Sequence, residues 1–275
     1  MKLDIQGSLY IDTGEIKTVH PQDLQEEILG DIVYEVIRVI DGKLIFGKEH
    51  LDRLSHSLQL FGIQDTPWQK DLANHLCLAP DVFGIDSQNL KIVCAHLHEN
   101  QPRWLIYPVV STYPPESWYD RGVRTQTLAL ERENPEAKVL HRSLKDQVAQ
   151  LMETNHIWEA LLVNGKGHIT EGSRSNLFFI KEGRVVTARG KDVLGGITRH
   201  KVLEALDILG IPHGEEDIRL EDLKDMEGLF LTGTSIHVLP IQEVDHLSFG
   251  TASHPLYKAI ANQFEAFISD IAGGA

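Results

Sequence analysis

Between residues 160 and 209 the apolar positions change period. Ala160-Leu161-Leu162-Val163 meets the turn signal Asn164-Gly165, and a second short run reaches Thr170 before Glu171-Gly172-Ser173-Arg174-Ser175-Asn176. Leu177 to Ile180 then turns through Lys181-Glu182-Gly183 into Arg184-Val185-Val186-Thr187. Short apolar runs bounded by turn residues predict strands of one sheet, with Glu171 at its rim. After Gly195-Gly196-Ile197-Thr198-Arg199 the spacing becomes helical, with Val202, Leu203, Leu206 and Leu209 on one face. A helix opened by two glycines offers an anion site, because unpaired N–H groups and the positive dipole end meet there. Many such helices bind nothing, so this signal alone leaves both outcomes open.

Upstream, residues 3 to 20 alternate as strands do, and 22 to 29 predict a short helix or turn. Asp31 to Lys43 predicts a strand ending in an Asp41-Gly42 hairpin turn. Its period of two puts Tyr34, Val36 and Arg38 on one face and Glu35, Ile37 and Val39 on the other. Lys48 to Ile63 predicts an amphipathic helix with Leu51, Leu54, Leu58 and Phe61 as its stripe and Gly62 closing it. Residues 64 to 110 hold one more helix and two strands, Leu90 to Leu97 and Arg103 to Val110. Ser111 to Gly122, with Pro114 and Pro115, marks a domain boundary. A strand through Leu229-Phe230-Leu231-Thr232 runs into the turn Gly233-Thr234-Ser235, and a final helix spans about Ser253 to Ile271. The pattern predicts a mixed α/β (α+β) chain of two domains, 1–115 and 116–275. On these residues alone, Arg38 also suits a solvent edge, Arg53 a snorkelling surface arginine, and Gly233-Thr234 a plain tight turn.

Composition narrows the field. At 275 residues and 42% hydrophobic content, the chain can bury one large or two modest cores. No apolar run approaches the roughly 18 to 20 residues of a membrane helix, and MKLDIQGSLY has no signal-peptide pattern, so a soluble cytoplasmic protein without a membrane partner is expected. A net charge of −14 with no lysine or arginine cluster argues against nucleic acid. Cys77 and Cys94 are expected to be buried structural thiols. His96 and His98 form an H-x-H pair without a third ligand in evidence, so no metal site is expected.

Thr170-Glu171-Gly172-Ser173-x-Ser175-Asn176-Leu177-Phe178, followed by Gly196-Ile197-Thr198-Arg199, resembles the fold-type IV enzymes that use pyridoxal 5′-phosphate (PLP). That family includes branched-chain and D-amino-acid aminotransferases and aminodeoxychorismate lyase. Val33-Tyr34-Glu35-x-x-Arg38 and Glu49-His50-Leu51-Asp52-Arg53-Leu54 are similar to its small-domain strand and helix. The resemblance covers roughly residues 30 to 240. It implies a small α/β domain (1–115), a large PLP-binding domain (116–275), and PLP between them. In the family the Schiff-base lysine lies about 21 residues ahead of the Glu-Ala pair that opens the next strand; counted back from Glu159-Ala160, this is Lys138 rather than Lys145.

By the same resemblance, Lys138 holds the cofactor and shuttles a proton, and Glu171 faces the pyridine nitrogen. Arg53, Ile197, Thr198, Gly233 and Thr234 hold the phosphate. Tyr34, Arg38, Thr234 and Ser235 meet the substrate carboxylate. A homodimer is implied as well, since family members close each other's sites.

No subfamily matches throughout. Ala95-His96-Leu97 stands where D-amino-acid aminotransferases carry Thr-Arg-Gly, and Val36 where the lyase has threonine, although Leu140 and Arg142 are similar to the lyase. Ser143 replaces a branched-chain tyrosine. Transamination of an apolar L-amino acid with 2-oxoglutarate is therefore expected, with Val36 and Ile236 consistent with an apolar pocket. The alternatives are D-amino-acid transamination, aminodeoxychorismate lysis, and a PLP-binding protein without turnover.

Overall fold

The computed structural model describes residues 2–273 except 26, 27, 29, 65, 100, 101, 133, 134, 140 and 141, and of 142–146 it describes the backbone only. Leu140 and the side chains of Arg142, Ser143 and Lys145 therefore lie outside the described residues. The chain divides into two compact units, Met1–Thr112 with Ala137–Leu140 and Ile268–Ala275, and Tyr113–Glu136 with His141–Phe267.

In the first unit, β1 (Leu9–Asp12), β2 (Glu15–Thr18), β3 (Val33–Ile40), β4 (Lys43–Leu44), β5 (Gln88–Ala95) and β6 (Arg103–Pro108) form an antiparallel sheet in the order β2-β1-β6-β5-β3-β4. Residues 22 to 29 contribute only the 3-10 turn Asp23–Gln25 among those described. β3 alternates as its sequence demands, with Val33, Glu35, Ile37 and Val39 buried and Tyr34, Val36, Arg38 and Ile40 half-buried. Helices α1 (Gly47–Leu60) and α2 (Pro67–Phe83) contribute Leu54, Leu58, Leu72 and Leu76 to a core shared with Val33, Ile37 and Ile92. α2 starts where Thr66 and Gln69 form a reciprocal capping box and Pro67 supplies a preset φ. The other sheet face carries Tyr10, Val93, Leu105 and Tyr107, with Tyr34 and Val36 against them. Cys94 is buried in β5, but Cys77 is exposed on α2, contrary to expectation.

The second unit comprises α3 (Glu116–Arg121), β7 (Val123–Ala129), α4 (Arg142–Asn155), β8 (Glu159–Val163), β9 (His168–Gly172), β10 (Asn176–Lys181), β11 (Arg184–Thr187) and α5 (Ile197–Leu209). There follow β12 (His213–Glu215), β13 (Ile218–Arg219), β14 (Gly228–Gly233), β15 (His237–Val244), β16 (Leu247–Ser248) and α6 (Pro255–Gly273), whose last residues belong to the first unit. Among the described residues its sheet has ten strands, in the order β12-β11-β10-β14-β15-β7-β8-β9-β13 with β16 on β15. The parallel pairs β7–β8 and β11–β12 need crossovers, which α4 and α5 supply. Leu177, Phe179, Leu229, Leu231 and Leu239 fill the core on one face. On the other, Phe178 stacks on Phe230 at 5.1 Å between ring centroids. Ile236 belongs to the first of these cores and is 7% exposed.

Candidate active site

In the first unit the site begins with a buried carboxylate. Strand alternation turns Glu35 into the apolar face of β3, where it is wholly buried. Such a charge needs partners, and α1 brings them: His50 and Arg53, three residues apart, share a helix face. Arg53 Nε donates to Glu35 Oε1 at 2.7 Å and Nη2 to Oε2 at 2.8 Å, while His50 Nδ1 lies 2.9 Å from Oε2. Burial opposes ionisation of Glu35, but the charge of Arg53 and the hydrogen bonds from His50 and Arg53 outweigh it and hold the carboxyl well below its usual range. Burial likewise pushes the His50 imidazole below its ordinary value against the pull of Glu35, with Arg53 and Lys138 adding to the depression. A neutral His50 beside an ionised Glu35 follows. The Nε–Nη2 edge of Arg53 is thus occupied by Glu35.

Lys138 is fixed to the same unit by its backbone. Its carbonyl accepts from Tyr34 N–H at 3.1 Å, its own N–H donates to Ser57 Oγ at 3.3 Å, and Val139 bridges to Val33. Its Nζ lies 5.0 Å from the centre of the Tyr34 ring. Lys138, expected in the large domain, is therefore carried by the first compact unit and presented along β3. Lys91 approaches the same ring at 5.8 Å while bound to Asp4 at 2.9 Å. Arg38, on the half-buried face with Tyr34, donates from Nη2 to Ser87 Oγ at 2.7 Å. His96 has a left-handed backbone (φ 54°) and pairs with Glu99 at 2.8 Å near the surface. Among the described residues no group of three or more histidine, cysteine or acidic side chains is placed to hold a metal ion.

In the second unit Glu171 lies within β9 and is 2% exposed. Arg132 Nη1 donates to its Oε1 at 3.0 Å, and Leu194 N–H and Asn176 Nδ2 donate to Oε2 at 3.1 and 3.3 Å. The adjacent Thr-Glu-Gly-Ser-x-Ser segment folds around a second buried carboxylate: Glu159 accepts from the hydroxyls of Ser173 and Ser175 and from Ala160 N–H. Gly172 is required there, since a Cβ would run into Ser175 Oγ. α5 begins at the N-cap Gly196, which offers no side-chain cap to the first-turn N–H groups, and Ile197 and Thr198 are buried. Gly233 ends β14, and Thr234 and Ser235 are half-buried in the turn before β15.

Sequence reasoning gave no role to Glu35, His50, Arg132, Asn176 or Glu159. An acid at an inward strand position with a histidine and an arginine three apart downstream is a signal that could have found the first two. Arg132, in an irregular segment far from Glu171 in sequence, carried none.

The family described as "Amino-transferase class IV" matches residues 32–244, and the chain belongs to it. A putative branched-chain-amino-acid aminotransferase of Methanocaldococcus jannaschii is 29% identical over 89% of this chain and 88% of its own. A D-alanine aminotransferase of Bacillus licheniformis is 28% identical, covering 84% and 85%. A hypothetical aminotransferase of Mycobacterium tuberculosis, solved in a PLP-bound form, superposes with a TM-score of 0.80 over 97% of this chain and 100% of that one at 17% identity. The architecture is that of fold-type IV, and the chain is a PLP-dependent class IV aminotransferase. The donor sets fit that cofactor: a buried carboxylate held by a guanidinium and an amide, a helix start whose N-cap glycine brings no side-chain cap, and a lysine anchored by its backbone. No helix among the described residues is long and apolar enough to cross a membrane.

Proposed function

We propose that this aminotransferase moves the amino group of an apolar L-amino acid to 2-oxoglutarate. The observation that carries the proposal is the pairing of Lys138 with Tyr34, whose N–H meets the Lys138 carbonyl and whose ring lies 5.0 Å from Nζ. Bound PLP supplies an aldehyde that condenses with amines and an electron-withdrawing ring. Lys138 would be the residue that carries it, and the Lys138 Nζ would take the proton from the substrate Cα. Glu171, steadied by Arg132 and Asn176, faces the pyridine nitrogen and favours the protonated ring. Arg53, oriented by Glu35, and the N–H groups of Ile197 and Thr198 hold the phosphate with Gly233 and Thr234. Tyr34, Arg38 and the Thr234-Ser235 turn receive the substrate carboxylate.

The L-specific assignment is supported by His96, which offers a surface imidazole bound to Glu99 where the D-specific enzymes have a guanidinium. Val36, beside Tyr34 on the half-buried face of β3, suits an apolar side chain. A two-fold homodimer in the cytoplasm completes the proposal. Half-reactions with L-leucine, D-alanine and aminodeoxychorismate test it: conversion to the pyridoxamine form by L-leucine is expected. Conversion by D-alanine alone, or pyruvate release from aminodeoxychorismate, overturns it.

A further inference from the structure

The second unit contains a buried hydroxyl that its own fold does not use. Thr232, in β14, is 1% exposed, and its Oγ1 has no hydrogen-bond partner among the described residues. Other strand threonines of the unit are satisfied: Thr125 donates to Glu243 carbonyl, Thr170 to Leu162 carbonyl, and Thr187 to Leu177 carbonyl. A buried hydroxyl without a partner is rare because it forfeits its bonds to water for nothing.

The position of Thr232 indicates what it waits for. It pairs across the sheet with Asn176 of β10. Leu229 and Leu231 fill the core on one face, so alternation turns Phe230 and Thr232 to the other, where Phe230 stacks on Phe178 and α5 packs on β14. Asn176 links this spot to the start of α5. Its Nδ2 donates to the Leu194 carbonyl at 2.8 Å, and its Oδ1 lies where a Cβ on Gly196 would have to be. Gly196 is the N-cap and brings no side chain to the N–H groups of the first turn. The orphan hydroxyl and the uncapped helix start thus lie on one side of the sheet, joined by one asparagine.

We propose that Thr232 is a further anchor of the cofactor phosphate, donating its hydroxyl hydrogen to a phosphate oxygen held at the first turn of α5. The assignment rests on Ile197 and Thr198 forming the phosphate seat. A phosphate dianion supplies acceptors where the protein supplies none, and a threonine there adds a donor that carries no charge and needs no reorientation of the backbone.

Cofactor-free protein, as wild type, Thr232→Val and Thr232→Ser, is titrated with PLP and with pyridoxal, which lacks the phosphate, reading cofactor absorbance. Thr232→Val keeps the shape and removes the hydroxyl. It is expected to weaken PLP on the order of tenfold and to leave pyridoxal unchanged. Thr232→Ser is expected to keep wild-type affinity. Without cofactor, Thr232→Val should melt at or above the wild-type temperature, since it replaces an unpaired polar atom, while inorganic phosphate should raise its melting temperature less than that of wild type. Equal PLP affinity in Thr232→Val and wild type, or equal losses for PLP and pyridoxal, overturns the proposal while leaving the seat intact. A wild type that binds PLP no better than pyridoxal overturns the seat, and the proposal with it.

Discussion

Glu35 grips Arg53 along one edge of the guanidinium, Nε to Oε1 at 2.7 Å and Nη2 to Oε2 at 2.8 Å, from a position with no solvent exposure. This fixes the plane and direction of the guanidinium. Glu35→Gln keeps the shape but leaves the guanidinium without its counter-charge, and stripping one member of a buried pair costs about 3 kcal/mol or more. Urea unfolding should show that loss, and cofactor titration should show PLP bound on the order of tenfold more weakly as the guanidinium loses its orientation. Lower stability with unchanged PLP affinity would confine the pair to scaffolding.

The same cluster sets a pH dependence. The folded-state pKa of His50 is depressed below its ordinary 6.5, so the unfolded chain takes up that proton more readily. The associated stability is complete above pH 6.5 and is lost as pH falls below it. Glu35 is depressed below its ordinary 4.5, so its contribution is complete above that pH and is lost on further acidification. Two successive losses are expected in melting temperature as pH is lowered. His50→Asn should remove the first and keep the second; a variant that retains both would place the first step elsewhere.

For Lys138, the geometry beside Tyr34 leads to a chemical test. Borohydride reduction of the holoenzyme followed by peptide mapping should find the phosphopyridoxyl group on Lys138, and Lys138→Ala should abolish reducible cofactor while Lys145→Ala keeps it. A label on Lys145 would overturn the assignment.

What the sequence made legible was local. The alternation of β3 could be read because one face is packed and the other half-open, and α5 because its stripe is regular and its start is marked by glycines. The Glu35, His50 and Arg53 cluster needed the placement of a helix over a strand, which no local pattern encodes. Cys77 was misread because its sequence neighbours are apolar. The buried positions of α2 are Leu72, Leu76, Ala79 and Pro80, and Cys77 falls off that stripe. Lys138 could be chosen over Lys145 only by family spacing, since both are ordinary lysines in composition, and its attachment to β3 is a long-range bond.

Glu171, proposed to face the pyridine nitrogen, provides the last test. Glu171 is almost fully buried, and Arg132, Asn176 and the Leu194 N–H all donate to it, so its orientation is set by groups that do not themselves touch substrate in this scheme. Glu171→Gln keeps the volume and most acceptor capacity but removes the charge that favours a protonated ring. It should retain cofactor and lower kcat on the order of a hundredfold, as loss of a preorganised charge at a reacting centre does. Arg132→Met should act through Glu171 and lower kcat in the same direction by a smaller factor with little change in KM, because the carboxylate stays while its aim loosens. In the double variant the arginine has no charge left to steady, so its added effect should largely vanish. Additive losses in kcat would show that Arg132 works independently of Glu171, and unchanged turnover in Glu171→Gln would reduce that residue to a structural member of β9.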